Sequence, residues 1–395
     1  MKKSIVTLGL ILSMGLPAFS SQETLLYDQV WKLINSKYVD QSNNHQNWYK
    51  WRKKYDSQIK TPEDAYVAIS TMLASLNDPY TKFLNPKEFK EETTSIKGSL
   101  KGIGVQIGVK DGKLLIIAPM EGTPGEKAGL KAEDEILEID GVSTKGITVD
   151  KAADKIRGEE GTIVRLLIKR NGEPNKVYEV KRAKIEIKAV SIKNPTDYKL
   201  DSRIGYIRLS SFMSQNAIEE FKTALNGYSD KKGYIIDLRS NPGGLFANAA
   251  LLSDMFLSGN VIVSTVDRDG YKDTTKATKS YVCDKPLVIL IDGGSASASE
   301  IFSGAMKDNG RALIVGEKSF GKGLVQEVNK LPMGAGCNIT VQKYLTPSGT
   351  DINKKGIMPD VVVKLTPEDA KAKRDAQLIK AESLLIKMIT YTPKS

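Results

Sequence analysis

The chain has 395 residues, of which 40% are hydrophobic and 27% charged, and its formal net charge is +11. This length is sufficient for two or three domains with sizeable cores, and the composition is that of a soluble globular protein. The positive charges are scattered among acidic residues, which is typical of a solvated surface and argues against a nucleic-acid partner. Weak peripheral attraction to an anionic membrane surface stays open.

The first 20 residues predict a secretory signal peptide. "MKK" supplies a basic start, "IVTLGLILSMGLPAF" an apolar run, and Ser20 and Ser21 a small-residue exit. The apolar run is short for a transmembrane helix, so a retained N-terminal anchor is the less favoured alternative. We therefore expect an exported chain that begins near Ser21 and lies in the periplasm or cell envelope of a bacterium.

Two cysteines, Cys283 and Cys337, and a single histidine, His45, limit the available chemistry. In an oxidising compartment the two thiols can pair, and two buried free thiols are equally compatible with the sequence. So few nitrogen and sulfur ligands argue against a zinc site. We expect neither a metal nor another cofactor.

The region 21–92 is predicted to be mainly helical. The apolar residues of "ETLLYDQVWKLINSKY" form an approximate helical stripe. Thr61 followed by Pro62 is a typical helix start. Pro79 and Pro86 then interrupt the pattern.

The next region, 93–183, has the pattern of a separate, small mixed module. Short β-like runs such as "GIGVQIGV" and "TIVRLLIKRN" are separated by turn residues. Two short helical patterns, "EKAGL" and "TVDKAADKIRG", interrupt them. Asp140 and Gly141 lie between apolar runs, which predicts a hairpin turn.

The region 184–395 alternates strand-like and helical patterns. "IGYIRL", "GYIIDLR" and "LVILID" are each nearly all apolar, as expected for strands of a sheet that is covered on both faces. Repeated strand–loop–helix units predict an α/β architecture. Active sites in such folds gather where loops leave the carboxyl ends of the strands.

Two of these loops carry candidate chemistry. The loop after "LVILID" starts a segment that contains Ser295, Ser297, Ser299 and Ser303, and "SNPGGL" follows another strand. Unpaired N–H groups at a helix start suit an oxyanion, and glycine lets a backbone approach a ligand closely. "SASE" is also a capping-box pattern, so on this segment alone a capping role for Ser297 is favoured over a nucleophilic one.

"GEKSFGKG", residues 316–323, matches a phosphate-binding loop up to its last position. That position needs Ser or Thr to hold magnesium, and this chain has Gly323. The following "LVQEV" is predicted to be a strand and not the helix that the motif requires. The nucleotide-binding interpretation is therefore weak, and Lys322 is either an ordinary surface lysine or has another role.

Together these segments resemble one family. "GGSASASEIFSGAMKDNGRALIVGEKSFGKGLVQ" is similar to the catalytic signature of the carboxy-terminal processing peptidases, also called tail-specific proteases. "LNDPYTKFLNPKEF", "GIGVQIG", "DLRSNPGGL" and "YLTPSGTDINKKGIMPD" are similar to further family motifs and occur in family order. The resemblance implies an α/β fold with a crotonase/Clp-protease-like β-β-α core, an inserted PDZ domain and a helical N-terminal region.

The resemblance also implies a Ser–Lys dyad, with Ser297 as nucleophile, Lys322 as base and Gln326 as the support of the lysine. The implied oxyanion donors are the backbone N–H groups of Gly243 and Ala298. A lysine base is consistent with a chain that has one histidine. Because a free lysine has a pKa near 10.4, this mechanism requires a desolvated lysine that is neutral near pH 7 to 8.

Three charged residues beside these loops are expected to shape the site without taking part in bond chemistry. They are Asp237, Arg239 and Glu300.

For the module at 93–183 the resemblance implies a PDZ domain, which adds a substrate tail to its sheet edge and holds the terminal carboxylate in a backbone nest. The implied tail-binding residues are Gly102, Ile103, Gly104 and Val105. Arg157 matches the arginine that couples tail binding to activation in gated members of the family. A surface arginine that ends a helix is equally compatible with the sequence.

We therefore expect a serine endopeptidase that acts on protein or peptide substrates with apolar C-termini. An adaptor and a homo-oligomer both stay open. The competing class is a non-catalytic PDZ scaffold of the periplasm, which need not retain Ser297, Lys322 and Gln326 together.

Overall fold

The computed structural model describes residues 21–391, apart from 97, 98, 111, 121, 132, 187, 194–197, 280 and 281. The predicted signal peptide lies outside the described residues. The chain divides into two compact units: the described residues up to Phe89 together with Gln326–Val341, and Lys90–Val325 together with the described residues from Gln342 onward. No helix in the described part of the chain has the length and apolar character needed to cross a membrane.

The N-terminal part of the first unit is mainly helical. It contains α1 Gln22–Lys37, a 3-10 helix Trp48–Trp51, α2 Pro62–Ala74 and β1 Lys82–Leu84, and α3 Pro86–Ile96 follows at the boundary. Thr61 caps α2 and Pro62 is its first residue, which confirms the predicted helix start. The core of this unit is rich in aromatic side chains, including the buried Trp31, Trp48 and Trp51.

Strand β1 interrupts the region for which the sequence predicts helices. Its three residues pair antiparallel with Gly336, Cys337 and Asn338. So short a strand has too few residues to show an alternating pattern, and its partners lie in a segment that is distant in the sequence. Hydrogen bonding to that distant segment defines β1.

The second unit contains a small β-rich domain. Its elements are β2 Ser99–Gly102, β3 Val105–Lys110, β4 Lys113–Pro119, α4 Pro124–Lys127, β5 Glu135–Ile139, β6 Val142–Ser143, α5 Val149–Ile156, β7 Ile163–Lys169, β8 Lys176–Lys181 and β9 Ala183–Glu186. An antiparallel sheet has the order β3-β4-β5-β7-β8, so β3 is an edge strand. Asp140 and Gly141 have φ of 50° and 77° between paired β5 and β6, which confirms the predicted hairpin turn.

The remaining described residues contribute an α/β layer and a second sheet to the second unit, except that Gln326–Val341 belong to the first unit. The elements are β10 Val190–Ser191, β11 Ile204–Leu209, α6 Ala217–Gly227, β12 Gly233–Asp237, α7 Phe246–Asp254, β13 Val261–Asp267, β14 Lys272–Lys276, β15 Leu287–Ile291, α8 Ala298–Asp308, β16 Leu313–Gly316, β17 Leu324–Lys330, a 3-10 helix Pro332–Gly334, β18 Gly336–Leu345, β19 Val361–Val362, α9 Pro367–Lys371 and α10 Ala376–Thr390. In the second unit, β13 pairs antiparallel with β14 and with residues 342–345 of β18.

The main sheet has the order β10-β11-β12-β15-β16-β19, and its strands from β11 to β19 run parallel. Alternate residues of each strand face opposite layers. Ile236 and Ile289 pack under α6, α7 and α8, whereas Ile235 and Leu290 pack under α10. This two-sided burial confirms what the apolar strand runs predict.

Parallel pairing places the carboxyl ends of β12, β15 and β16 at one edge of the sheet. The loops that leave these ends start at Leu238, Asp292 and Glu317. The three candidate loops of the sequence, "SNPGGL", "GGSASAS" and "GEKSFGKG", therefore meet at this edge.

Candidate active site

Ser297 lies in the sharp turn between strand β15 and helix α8. Its backbone has φ 54° and ψ −113°, a conformation that costs free energy for any residue other than glycine. The surrounding hydrogen bonds hold it there, since the Ser297 N–H donates to the Glu300 carboxylate at 2.8 Å. A strained strand-to-helix turn of this kind exposes a nucleophile at the edge of an α/β sheet.

Burial distinguishes Ser297 from the other serines of its segment. Ser295 and Ser299 are fully buried, and their hydroxyls donate to the carbonyl oxygens of Leu238 and Asn241 at 2.8 and 3.0 Å. Ser303 is also buried, on helix α8. Only Ser297 of the four is partly exposed, so it is the serine that a substrate can reach.

The capping box that the sequence suggests is present. The Glu300 carboxylate reaches back to the Ser297 N–H at 2.8 Å, and the N–H of Glu300 also donates to the Ser297 carbonyl oxygen at 2.8 Å. Ser297 therefore starts helix α8 as the capping pattern predicts, and it is at the same time the partly exposed serine of the segment.

The glycine loop "NPGG" packs directly against this turn. A Cβ atom on Gly243 would lie 2.8 Å from the Ala298 nitrogen and 2.9 Å from the Ser297 Cβ, and Gly243 has φ 94°. Any larger residue would therefore displace the turn at Ser297. Ala298 is the first residue of α8, so its N–H has no acceptor within the helix.

Asn241, which the sequence analysis did not single out, joins the two loops. Its backbone carbonyl accepts hydrogen bonds from the Ala296 N–H and the Ser299 hydroxyl, both at 3.0 Å. Its side-chain oxygen accepts from the Gly243 N–H at 2.9 Å, an Asx-type turn that the sequence Asn-Pro-Gly favours. The predicted oxyanion donor at Gly243 is thus engaged by Asn241.

The fully buried carboxylate of Glu300 connects the turn at Ser297 to the loop 317–323 that contains Lys322, which we call the lysine loop. One oxygen accepts from the Ser297 N–H at 2.8 Å and from the Lys322 N–H at 2.9 Å. The other accepts from the Ser319 hydroxyl at 2.6 Å and the Gly321 N–H at 2.7 Å. Four donors thus satisfy a carboxylate that would otherwise be costly to bury.

Tyr344, on strand β18, is a second connection between the same two segments. Its hydroxyl contacts the carbonyl oxygens of Ser297, at 3.3 Å, and of Lys322. The backbone atoms of the predicted nucleophile and the predicted base are therefore tied together twice, once through Glu300 and once through Tyr344.

Gln326, the predicted support of the lysine, lies on strand β17. Its side-chain amide donates to the Thr340 hydroxyl at 3.3 Å within the first unit. The segment after "FGKG" forms this strand and not a helix, so the phosphate-loop alternative lacks the helix start that would hold a phosphate.

A buried ionic cluster lies at the end of strand β12. The Arg239 guanidinium donates to Asp237 at 2.7 Å and to Asp375 at 2.8 and 2.9 Å, and the Tyr206 hydroxyl donates to Asp237 at 2.7 Å. Burial lowers the pKa of Arg239, but the hydrogen bonds that it donates to the two carboxylates outweigh this and raise its pKa. The cluster fixes the strand end against the start of α10, consistent with the shaping role expected of Asp237 and Arg239.

A groove of about 260 Å³ lies between the edge strand β3 and helix α5. The predicted tail-binding residues Gly102, Ile103, Gly104 and Val105 all line it, and so do Ile156 and Arg157. The groove therefore combines a free strand edge, a glycine turn and an apolar wall, which is the arrangement that accepts an added strand. A larger cleft of about 540 Å³ on the same domain contains none of the predicted residues.

Two details of the groove bear on its use. Gly104 has φ 72°, and a Cβ atom there would lie 2.3 Å from the Thr123 Cβ, so only glycine fits this turn. Arg157 is exposed at the C-terminal end of α5 and also faces the groove. Its position thus agrees with both interpretations left open by the sequence.

Both cysteines are free and buried. Burial raises the pKa of the Cys283 thiol, and it raises that of Cys337 to about 12. Neither thiol is therefore a reactive thiolate at neutral pH.

Family models match two parts of the chain. Residues 203–363 match peptidase family S41, and residues 115–170 match the PDZ domain. The chain is 43% identical to a carboxyl-terminal-processing protease of Picosynechococcus sp., over 89% of this chain and 85% of the relative. It is 39% identical to the carboxy-terminal processing protease CtpA of Bacillus subtilis, over 80% of this chain and 68% of the relative.

Relatives also occur in chloroplasts. A chloroplastic carboxyl-terminal-processing peptidase of Arabidopsis thaliana is 35% identical, over 93% of this chain and 74% of the relative. Among solved structures, a photosystem II D1 C-terminal processing protease matches with a TM-score of 0.59 and 34% identity, over 87% of this chain and 94% of that one. These matches confirm the predicted fold class, an α/β peptidase core combined with a PDZ domain.

Proposed function

Because the chain belongs to the carboxyl-terminal-processing protease family, we propose that it is a serine endopeptidase of the cell envelope that binds the C-terminal tail of its substrates and cleaves peptide bonds with a Ser297–Lys322 dyad. The observation that carries the proposal is the state of the four serines. Three are buried, and the fourth, Ser297, is accessible on a strained turn that is tied to the lysine loop.

In this mechanism neutral Lys322 takes the proton of the Ser297 hydroxyl as the oxygen attacks the peptide carbonyl. The lysine then passes the proton to the departing amine, and a water molecule that it deprotonates releases the acyl-enzyme. A lysine ammonium cannot start the reaction, so the rate must rise with pH as the amine loses its proton. Gln326 would orient the amine without adding a charge.

The oxyanion that forms on the carbonyl would face the N–H groups of Ala298 and Gly243. The first is unpaired within its helix, which supports this role. The second donates to Asn241 at 2.9 Å, so binding of the oxyanion requires Gly243 to share or exchange that hydrogen bond. Asn241 would thereby hold the Gly243 loop in position until the substrate binds.

Recognition of the substrate would take place in the groove between β3 and α5. A tail added to the edge of β3 places its terminal carboxylate at the Gly102–Val105 turn and its last side chains against apolar groups such as Ile103 and Ile156. Tails that end in Ala or Val should fit best. Relatives named as carboxyl-terminal-processing proteases support this proposal.

The dyad is tested by Ser297→Ala and Lys322→Ala, each of which should abolish peptide cleavage while the melting temperature changes little. Ser303→Ala and Lys318→Ala are matched controls. The Ser303 hydroxyl has no hydrogen-bond partner among the described residues, and Lys318 is an exposed lysine of the same loop. Both controls should retain activity.

A fluorophosphonate probe should label the protein at Ser297 only, as peptide mapping by mass spectrometry will show. The pH–rate profile should rise on an apparent pKa below the value near 10.4 of a free lysine. Full activity of Lys322→Ala, or labelling of Ser297→Ala, would contradict the dyad. A molecule that is never labelled and never cleaves would favour the non-catalytic scaffold.

A further inference from the structure

A run of basic side chains in the first unit has no role in the proposed chemistry. It lies in the segment 48–55, "WYKWRKKY", which we call the basic loop. Its four cationic side chains are exposed, and within the described part of the chain none of them forms an ion pair; they are Lys50, Arg52, Lys53 and Lys54. Four positive charges within five residues thus face solvent without neutralisation.

Buried tryptophans hold the basic loop in one conformation. Trp48 and Trp51 are 3% and 6% exposed. The indole N–H of Trp48 donates to the carbonyl of Trp31 on α1 at 3.2 Å, and the indole of Trp31 donates back to the carbonyl of Trp48 at 3.1 Å. The Tyr27 hydroxyl donates to the carbonyl of Trp51 at 2.5 Å. The backbone that carries the four charged side chains is therefore held in one conformation.

The aromatic rings also order the cations themselves. The Lys54 ammonium lies 4.1 Å from the centre of the Trp51 ring, and the Arg52 guanidinium lies 5.2 Å from that of Trp31. Such stacking limits the freedom of the two side chains while their charged ends stay in water. Less conformational entropy is then lost when they bind an anionic surface.

An exposed tyrosine stands among these charges. Tyr49 is 63% exposed, although its ring contacts that of Trp31 at 5.4 Å between centroids. Tyrosine is favoured at the boundary between lipid headgroups and acyl chains, and lysine and arginine reach headgroup phosphates from the same depth. Nucleic-acid surfaces also combine aromatic and basic side chains, but there the basic residues follow a groove along the nucleic-acid backbone, whereas here the four cations lie within one five-residue segment.

We propose that the basic loop binds the anionic surface of a lipid bilayer and so holds the protein at the membrane. The proposal is independent of the peptidase mechanism and concerns a different unit of the molecule. Each basic residue close to an anionic membrane contributes roughly five-fold to the binding constant, so four together give a substantial effect. The loop would act reversibly, because salt screens these interactions.

The test is flotation of the full-length protein with lipid vesicles. One set is pure phosphatidylcholine, and the other contains about 30% phosphatidylglycerol. The N-terminal run and its basic start are the same in every variant, so a change in the ratio of the two binding constants between variants reports on the basic loop. We expect at least about ten-fold stronger binding to the anionic vesicles, and we expect 0.5 M salt, an ionic strength that screens charges beyond a few ångströms, to abolish the difference.

The decisive variant replaces all four cations of the basic loop by Gln, which should remove most of the preference for anionic vesicles. Its matched control replaces four other exposed lysines by Gln, with the same change in net charge: Lys364, Lys371, Lys373 and Lys380. This control should keep the preference. A single substitution, Lys53→Glu, covers a failure of the first variant to fold, since Lys53 makes no ring contact among the described residues.

Equal loss of binding in the variant and the control would overturn the proposal, since net charge alone would then be responsible. Binding to an acidic polypeptide or to heparin but not to anionic vesicles would overturn it in favour of an acidic macromolecule. Cleavage of a short soluble peptide should be the same in all variants. That measurement separates this proposal from the proposed peptidase activity.

Discussion

The turn at Ser297 and the groove between β3 and α5 are built in opposite ways. At the turn, a buried carboxylate takes four hydrogen bonds and a tyrosine hydroxyl bridges two carbonyls, so the backbone around Ser297 is fixed in a strained conformation. The groove has a free strand edge, a glycine turn and an exposed arginine. Bond chemistry needs atoms fixed in advance, whereas recognition needs room for an incoming strand.

The comparison predicts that loss of the carboxylate at the turn damages chemistry and not recognition. Glu300→Ala removes the acceptor of four backbone or hydroxyl donors, at Ser297, Ser319, Gly321 and Lys322. This loss costs about 3 kcal/mol of stability and lowers kcat at least about 100-fold. Glu300→Gln keeps the shape and should fold, yet its amide N–H₂ faces other donors, so kcat should still fall. Steady-state kinetics and thermal unfolding measure the two effects.

Glu317→Ala is the matched control for this change, because Glu317 is a partly exposed acid in the neighbouring loop. It should leave both kcat and the melting temperature nearly unchanged. If Glu300→Gln had the kcat of the unaltered protein, the carboxylate would be a helix cap and nothing more.

The groove should respond to a change at its glycine turn. Gly104→Ala places a Cβ at φ 72° and 2.3 Å from the Thr123 Cβ, so the turn must shift. Gly112→Ala is the matched control. Gly112 has the same φ of 72°, but a Cβ atom there would have no other atom within 4 Å, so this variant has the backbone strain without the steric clash. Affinity for tailed substrates should fall more than about ten-fold in the first variant only, because a displaced turn loses its hydrogen bonds to the carboxylate.

Cleavage of a short peptide without a recognised tail should be equal in both glycine variants. Measurement of KM for a tailed substrate and of kcat for the short peptide tests this directly. A KM that rose to the same extent in both variants would show that general loss of stability, and not the shape of the turn, is responsible.

The parallel sheet and its three loops could be predicted because their signals are local. Each strand is a short apolar run and each loop carries glycine or serine immediately after it, so the order along the chain already indicates a common edge. The hairpin at Asp140 and Gly141 was predictable for the same reason. The local patterns could not distinguish the serines from one another. The structure distinguishes them by burial, because Ser295 and Ser299 are buried and therefore have structural roles.

Contacts between distant residues account for the features that the sequence did not reveal. Tyr344 meets Ser297 and Lys322 only after strand β18 has formed, and Arg239 meets Asp375 across more than a hundred residues. No spacing rule relates such pairs. Asn241 is different, because Asn-Pro-Gly is a local turn signal that could have been noticed.

The chemistry of the substrate's end provides a test of the groove without any mutation. A free terminal carboxylate forms charge-assisted hydrogen bonds to backbone N–H groups, which are roughly twice as strong as neutral ones. Amidation of the tail should therefore raise KM about ten-fold and leave kcat unchanged. A terminal Asp or Lys would place an unpaired charge against Ile103 and Ile156 and should have a similar effect.

The comparison of rates uses one unfolded protein in free-acid, amidated and charge-terminated versions. Equal rates for all of them would mean that the groove does not recognise tails. The proposed dyad at Ser297 would then cleave any unfolded chain, and the groove would not be a recognition site.

The smallest expected effect concerns a link between the two regions. Arg157 ends helix α5, lines the groove and is exposed. It takes no part in the proposed bond cleavage, so it can affect turnover only by coupling tail binding in the groove to the proposed dyad. If it couples the two, Arg157→Ala should lower turnover of tailed substrates about five-fold, the lower end of typical coupling free energies. Turnover of a short untailed peptide should not change.

Lys155→Ala is the control for Arg157→Ala, since Lys155 lies in the same last turn of α5 but does not line the groove. It removes an equal charge from the helix end, where a cation is favourable, and should leave both substrates unaffected. The ratio of turnover on tailed and untailed substrates is the quantity to compare. Equal ratios in the two variants would mean that Arg157 is an ordinary helix-terminal arginine. The groove would then only raise the local concentration of substrate, and the proposed dyad would be active whether or not a tail is bound.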